Sequence, residues 1–551
     1  MMRSAPVPGE YVDIKRSSRW LNPPAVIVFA LILYLPGIRW GLPGTISWSQ
    51  DTIAGLRTLG AVTQWPDNWP GRYPPLQYLL LNAAYKPVLY NWQRSGEFVV
   101  EPGSMRIDFK PPHPPKIGLL ILIARFVSVA MAITAALGLR AAVRQLTDDE
   151  LAATLAAGAM MIGAAFTYFA HLGNVDVPSM CWFAWSVYFY VRLIKRGRWP
   201  DAALLGLFGS LAISTKDAVA GVYPGMALVL LALETNRRVG NSSRGKALLQ
   251  ATWQLKWLIG LAAFIIPYVL LYNILADPQE YLERMRYWLD PAAGTLHARQ
   301  HRYGNQLQLL LATISYTAGA VGWPMLAAMA ASAVYALRRH ARIAFIVLVP
   351  AVSYYLLVIV QIDFVYSRFL FAPLSLLCIL LGVSAAALIR SRRCPLLVRF
   401  GIPLAVACLS LGYAAAVDLE MITDSRYQAE KWFQGNIVPS SSVGAFSNPQ
   451  YLPRVHDLGY ATYPVEMSPE AFTRPQPEYL ILTSYNYEDF NDEQKACMKE
   501  LISGRLGYDP VVGFRGRYLG TASSALSIAG WGALPPGKIS PEITILRRTV
   551  P

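Results

Sequence analysis

Residues 117–139 read IGLLILIARFVSVAMAITAALGL. The stretch contains no acid and one cation, Arg125. At ~1.5 Å rise per residue it reaches across the ~30 Å of hydrocarbon in a bilayer. Hydrocarbon offers no partner to a free backbone N–H or C=O, so a segment that crosses it must be helical. Comparable blocks lie on either side, at about 24–42, 151–170, 177–195, 201–214, 217–234, 256–276, 316–337, 343–361, 368–389 and 400–417. With 117–139 they predict about eleven spans. The segment 201–214 is short, and it reads equally as half of a helix broken at Ser214–Asp217.

Composition agrees. The chain is 54% hydrophobic and only 15% charged, against about 25% charge in an average soluble protein. The net charge of +15 does not point to nucleic acid, because the cations sit in short loops between apolar blocks. There they set orientation in a membrane. With the N-terminus in the cytoplasm, the predicted inner segments hold Arg140 and Arg144; Arg192, Lys195, Arg196 and Arg198; Arg237, Arg238, Arg244 and Lys246; Arg338, Arg339 and Arg342; and Arg390, Arg392 and Arg393. The short outer loops offer only Lys216 and Arg368. An odd number of spans then puts the C-terminal tail outside. The expected location is the plasma (inner) membrane, with the tail periplasmic or otherwise extracytoplasmic. No cleavage site follows the first apolar stretch, which reads as an uncleaved span.

The expected organisation is a cytoplasmic segment 1–23, a transmembrane domain 24–417 and an outer α/β domain 418–551. Two further outer segments, 44–116 and 277–306, are too long for simple turns. The first carries Trp48, Trp65, Trp69 and Trp92, a residue type enriched at membrane interfaces. Its stretches 53–62 and 76–89 read as helices lying on the membrane surface. In the tail, Asp424 can cap a helix that runs through Phe433 and stops at Gly435. Strands are expected at 442–446, 479–483, 511–514 and 543–546, and a helix over 488–502 ended by Gly504. The five cysteines show no spacing for a disulfide within the tail or for a metal.

Four charged residues fall at the outer ends of spans. Asp51, in Ser47-Trp-Ser-Gln-Asp51, lies where a carboxylate meets both lipid headgroups and water; it also fits a capping box with Ser47 and Gln50. Asp176, in His171-Leu-Gly-Asn-Val-Asp176-Val-Pro178, occupies a tight turn and is a candidate to line a cavity or to cap the following helix. Lys216, in Ser214-Thr-Lys-Asp217, needs an anion, either Asp217 or a bound phosphate. Arg368 opens the span Arg368-Phe-Leu-Phe-Ala-Pro373; its fork suits phosphate oxygens, with Asp363 as the ordinary alternative. Two acids and two bases on one membrane face suit the handling of a lipid phosphate. Tyr73, in the stiff Tyr73-Pro-Pro-Leu76, and His171 are secondary candidates for substrate contacts.

These motifs, in this order and on this side, resemble those of the bacterial lipid-carrier-dependent glycosyltransferases of the C-type superfamily. The protein O-mannosyltransferases and lipid A aminoarabinose transferases are nearest in pattern. The elements are Asp51, Tyr73–Leu76, Asn174–Pro178, Thr215–Lys216 and Arg368–Pro373, with Ser425-Arg-Tyr, Lys431-Trp and Tyr451-Leu-Pro-Arg454 in the tail. One departure is that Thr52 follows Asp51, where the family usually has Glu. The resemblance implies a mannosyltransferase-like enzyme with Asp51 as general base. A sugar on a polyprenyl phosphate would pass, with inversion, to an acceptor hydroxyl on a protein, a lipid or a polysaccharide. Lys216 and Arg368 would hold the leaving phosphate, and Asp176 would bind sugar or acceptor hydroxyls. The sequence demands no cofactor and leaves a divalent cation open. Two other readings stand beside it: a transporter or flippase, for which mid-bilayer charges and repeated halves are expected, and a non-catalytic envelope scaffold that uses its tail to bind.

Overall fold

The computed structural model describes residues 23–64, 73–100, 107–239, 243–289, 303–446, 448–468, 471, 477–484, 490–519 and 539–549. Trp65, Trp69 and the N-terminal segment 1–22 lie outside them.

The chain is a multi-pass α-helical membrane protein with a small strand-built unit at its C-terminal end. Among the described residues, five helical segments are long and apolar enough to cross a bilayer: His113–Thr147, Asp217–Val239, Ala341–Ile362, Ser367–Arg390 and Leu397–Asn436. Three helix pairs pass the same test jointly but bend, Glu150–Met161 with Ala164–Ala170 by 69°, Arg244–Thr252 with Leu255–Leu271 by 41°, and Gln306–Val321 with Trp323–Arg339 by 114°. Pro23–Tyr34 and Trp199–Ile213 are shorter apolar helices. Asp176–Arg196 is a largely buried helix. Helix Leu255–Leu271 has no buried residue, and Leu258, Ile266 and Leu270 are more than half exposed. Such a surface suits hydrocarbon and not water.

The stretch predicted as one span at 316–337 is two helices. Gly322 sits at φ +88°, a backbone setting open to glycine, and Pro324 fits the first turn of the next helix, so the chain turns sharply there. The bend in 151–170 falls at Ile162–Gly163. The break expected at Ser214–Asp217 is present, as a turn into a 3-10 helix over Asp217–Val222.

Small residues let the helices approach closely. A Cβ on Gly382 would strike the carbonyl oxygen of Ala152, and one on Gly206 would strike that of Gly260. Arg125, the cation inside the opening stretch, is 1% exposed and donates to the carbonyls of Ile38 (2.8 Å) and Trp40 (2.7 Å). It thereby fixes the turn that leaves the first helix.

Between the first apolar helix and His113–Thr147, Leu56–Gln64 and Leu76–Arg94 are helices, and β1 (Phe98–Val100) pairs antiparallel with β2 (Ile107–Phe109). Helix Leu76–Arg94 buries Gln77, Tyr78, Leu81 and Tyr85. Trp48 is not an interface residue: it is 1% exposed, packed under the C-terminal unit.

That unit is a five-stranded mixed sheet. Its strands are β3 (Ser442–Ala445), β4 (Ala461–Pro464), β5 (Tyr479–Thr483), β6 (Tyr508–Phe514) and β7 (Ile543–Arg548), in the order β4-β3-β5-β7-β6. β3 runs parallel to β4 and β5, and β7 pairs antiparallel with β5 and β6. Helix Ser425–Asn436 begins at Asp424, whose side chain accepts from the Arg426 N–H. Asn491 starts helix Asp492–Ile502 with a capping box.

Candidate active site

Asp51 leaves the first helix on a loop that is stitched to the turn 171–176. Ile53 N–H donates to the Gly173 carbonyl (2.8 Å), and Thr52 Oγ1 donates to the same oxygen (3.0 Å). A Cβ on Gly173 would lie 2.7 Å from both Ala54 Cβ and Ala124 Cβ, so only glycine admits this approach. The stitch brings Asp51 beside the turn that carries Asp176.

Asp176 is the first residue of its helix and is 1% exposed. The residue before it, Val175, gives no side-chain cap. Asn174 donates from Nδ2 to Asp176 Oδ2 (2.9 Å) and accepts the Asp176 N–H (3.2 Å), which fixes the carboxylate's direction. The other oxygen, Oδ1, takes a hydrogen bond and ion pair from Lys216 Nζ. Lys216 is in extended backbone at the break between two helices and is 6% exposed. The break is anchored to helix Leu76–Arg94, because Leu76 N–H donates to the Ser214 carbonyl (3.2 Å).

Lys216 therefore pairs with Asp176 and not with its neighbour Asp217. Asp217 points the other way, to Arg284 at 2.5 Å and to the Tyr272 hydroxyl. Arg368 pairs with Asp51 and not with Asp363. Arg368 lies on the 3-10 turn Ser367–Leu370. Its carbonyl accepts from Lys216 Nζ (3.0 Å), and the Phe369 ring faces both cations, 5.1 Å from Lys216 Nζ and 5.8 Å from the Arg368 guanidinium carbon. The four charges thus form one cluster, Asp51–Arg368 and Lys216–Asp176, joined through the Arg368 carbonyl.

Burial outweighs the adjacent Asp176 carboxylate and lowers the Lys216 ammonium from its ordinary value. Tyr73 belongs to the same neighbourhood: burial raises its phenol, with Arg368 opposing and the Asp51 and Asp176 charges adding to the rise. His171 stands apart. It is fully buried, its ring nitrogens lie against the carbonyls of Thr167 (2.8 Å) and Pro36 (2.6 Å), and Asp418 Oδ1 is 3.5 Å away. These contacts tie the turn 171–176 to the end of the first apolar helix and to the last one, and do not reach the four-charge cluster.

The described residues contain no group of three or more His, Cys, Asp or Glu able to hold a metal ion. Both site carboxylates are engaged by cations. Sequence reasoning did not single out Arg284, which pairs with Asp217, or Tyr366, whose ring lies 5.8 Å from the Arg368 guanidinium carbon. Arg284 had a local signal, since it follows Tyr281 by one helical turn. Tyr281 packs against Tyr268 and Tyr272, and the Tyr272 ring also faces Arg284.

Residues 117–276 match the family described as dolichyl-phosphate-mannose-protein mannosyltransferase. No curated protein matches the chain significantly. Among solved structures, the Saccharomyces cerevisiae protein O-mannosyltransferase Pmt1-Pmt2 complex bound to the sugar donor is 16% identical, with a TM-score of 0.33 over 52% of this chain. This chain spans 36% of that protein's length. ArnT from Cupriavidus metallidurans bound to undecaprenyl phosphate is 12% identical, with a TM-score of 0.48 over 96% of this chain and 98% of that one. The Archaeoglobus fulgidus oligosaccharyltransferase tethered to an acceptor peptide is 10% identical, with a TM-score of 0.44 over 91% and 74%. The stretch that matches the mannosyltransferase family in sequence, 117–276, is the one that holds Asp176 and Lys216.

Proposed function

We propose that this chain transfers a sugar from a polyprenyl-phosphate donor to an acceptor hydroxyl on the outer side of the plasma membrane, with inversion at the anomeric carbon. The observation that carries the proposal is the convergence of Asp51, Arg368, Lys216 and Asp176, distant in sequence, on one cluster. The domain boundaries 24–417 and 418–551, the sidedness from the loop charges and the site roles belong to the same proposal.

In the cluster each cation has a carboxylate partner. A donor phosphate entering between Lys216 and Arg368 brings a competing anion, which Arg binds through its fork and Lys as a point charge. Arg368 then shares its charge between phosphate and Asp51. The Asp51 carboxylate, less firmly hydrogen-bonded, becomes a stronger base. Asp51 takes the proton of the acceptor hydroxyl while that oxygen bonds to the anomeric carbon from the face opposite the phosphate. The bond from that carbon to the phosphate oxygen breaks, and its electron pair leaves with the lipid phosphate. Lys216 and Arg368 stabilise the charge that grows on the leaving oxygen. Asp176 holds Lys216 in place and orients sugar or acceptor hydroxyls. Tyr73 borders the same space.

The proposal is tested with purified protein in vesicles, polyprenyl-phosphate sugars as donors, and mass spectrometry of the products with NMR of the new anomeric centre. Transfer with inverted configuration is expected. Movement of intact lipid-linked sugar across the bilayer without cleavage would instead support a flippase.

A further inference from the structure

Trp48 lies three residues before Asp51, and its indole N–H is buried with no hydrogen-bond partner among the described residues. No polar bond of its side chain sets its position; the C-terminal unit does. The Arg426 guanidinium lies 4.2 Å from the Trp48 ring centroid, Arg454 lies 5.1 Å from it, and the Tyr427 ring packs at 4.8 Å. Cations over indole rings are attractive, more so when desolvated.

Both arginines are themselves fixed. Arg426, fully buried, makes a fork to Asp424 (Nε to Oδ1 2.9 Å, Nη2 to Oδ2 2.7 Å) and donates to the Gln450 carbonyl (2.7 Å). Arg454 makes a fork to Glu430 (2.8 and 2.6 Å) and donates to the Pro43 carbonyl (2.6 Å). The same unit holds the rest of the loop. Trp40 Nε1 donates to Asp424 (2.7 Å), Gly41 N–H to the Tyr427 hydroxyl (2.7 Å), and Thr45 through N and Oγ1 to the Asp457 carboxylate (3.0 and 2.9 Å). A Cβ on Gly41 would lie 2.8 Å from the Trp48 ring, so the loop closes on the indole from the other side. Beyond Trp48, Ser49 Oγ meets the Tyr168 hydroxyl (3.3 Å), and Asp51 meets Arg368.

We infer that Arg426 and Arg454 of the C-terminal unit are positioning residues for Asp51, and that they act through Trp48. The unit serves as a clamp that sets the carboxylate of the base. The inference rests on the transferase reading for its kinetic consequence, while the placement of the loop is measurable without it. A displacement of about 1 Å at a reacting group costs on the order of 10²-fold in rate.

The test uses the full-length chain in vesicles, as Arg454→Ala, Trp48→Ala and Trp48→Phe. The expected result is a fall in kcat of ~10–100-fold for Arg454→Ala and Trp48→Ala, with donor KM changed less than about threefold and partial recovery in Trp48→Phe. A nitroxide on Gln50→Cys, in a chain with its other cysteines replaced by serine, reads loop order directly. Its mobility is expected to rise in the two alanine variants relative to the parent. Folded alanine variants with parental kcat and unchanged label mobility would overturn the inference. If the parent transfers no sugar at all, the transferase reading fails alone. Label mobility then decides the clamp, increased mobility supporting it and unchanged mobility removing it.

Discussion

Lys216 and Asp217 are adjacent in sequence and pair in opposite directions, one with Asp176 and the other with Arg284. Extended backbone at Lys216 turns successive side chains apart. This divides the two charges between the site and the wall behind it. Removing one member of a buried pair leaves the other uncompensated, at a cost of about 3–5 kcal/mol, whereas replacing both by apolar groups is often neutral. Asp176→Asn and Lys216→Met should therefore each lower stability, measured as the thermal midpoint in detergent. Asp176→Leu combined with Lys216→Met should regain most of the loss. If Lys216 holds the donor phosphate, that double variant stays inactive despite its recovered stability. A stable, active double variant would show the pair to be structural only.

At the scale of elements, much was legible because the bilayer restricts the options. The apolar blocks are largely helical, although the first, 24–42, is helical only over Pro23–Tyr34 and then turns, and the helix cap at Asp424, strand 479–483 and the stop near Gly504 fell where local chemistry put them. Bends were less legible. Gly322 and Pro324 sit inside an unbroken apolar run, and hydropathy does not register a 114° turn. Strand β4 was missed because Ala461–Pro464 lies on a sheet edge and is largely exposed, so it carries no buried pattern. In the site, the sequence supplied the four charges but not their pairing, which depends on Gly173 admitting the loop that carries Asp51. Helix contact also rests on absent side chains. Gly382→Ala would press a Cβ against the Ala152 backbone, and overpacking of this kind typically costs about 1–3 kcal/mol. Gly412 lies inside a helix, and a Cβ there would meet no atom within 4 Å, so Gly412→Ala should raise stability by up to about 1 kcal/mol. Equal effects of the two substitutions on the thermal midpoint would contradict this view of the packing.

For the whole molecule, sidedness and the clamp constrain one another. The C-terminal unit touches residues 40–48, so it must lie on the same membrane side as Asp51. Cys497 is buried and would report poorly on topology, whereas Ser503 is exposed. A cysteine at Ser503, in a chain whose other cysteines are replaced, should react with an impermeant maleimide from outside intact cells. Reaction only after the cytoplasm is opened would reverse the orientation. It would also place the four-charge cluster on the inner face. The most direct measurement is single-turnover sugar transfer from a polyprenyl-phosphate donor by vesicle-reconstituted wild type and Asp51→Asn. With Asp51 as the base, the variant's rate falls by at least ~10²-fold while donor binding is retained. Transfer by Asp51→Asn at the wild-type rate would contradict that role.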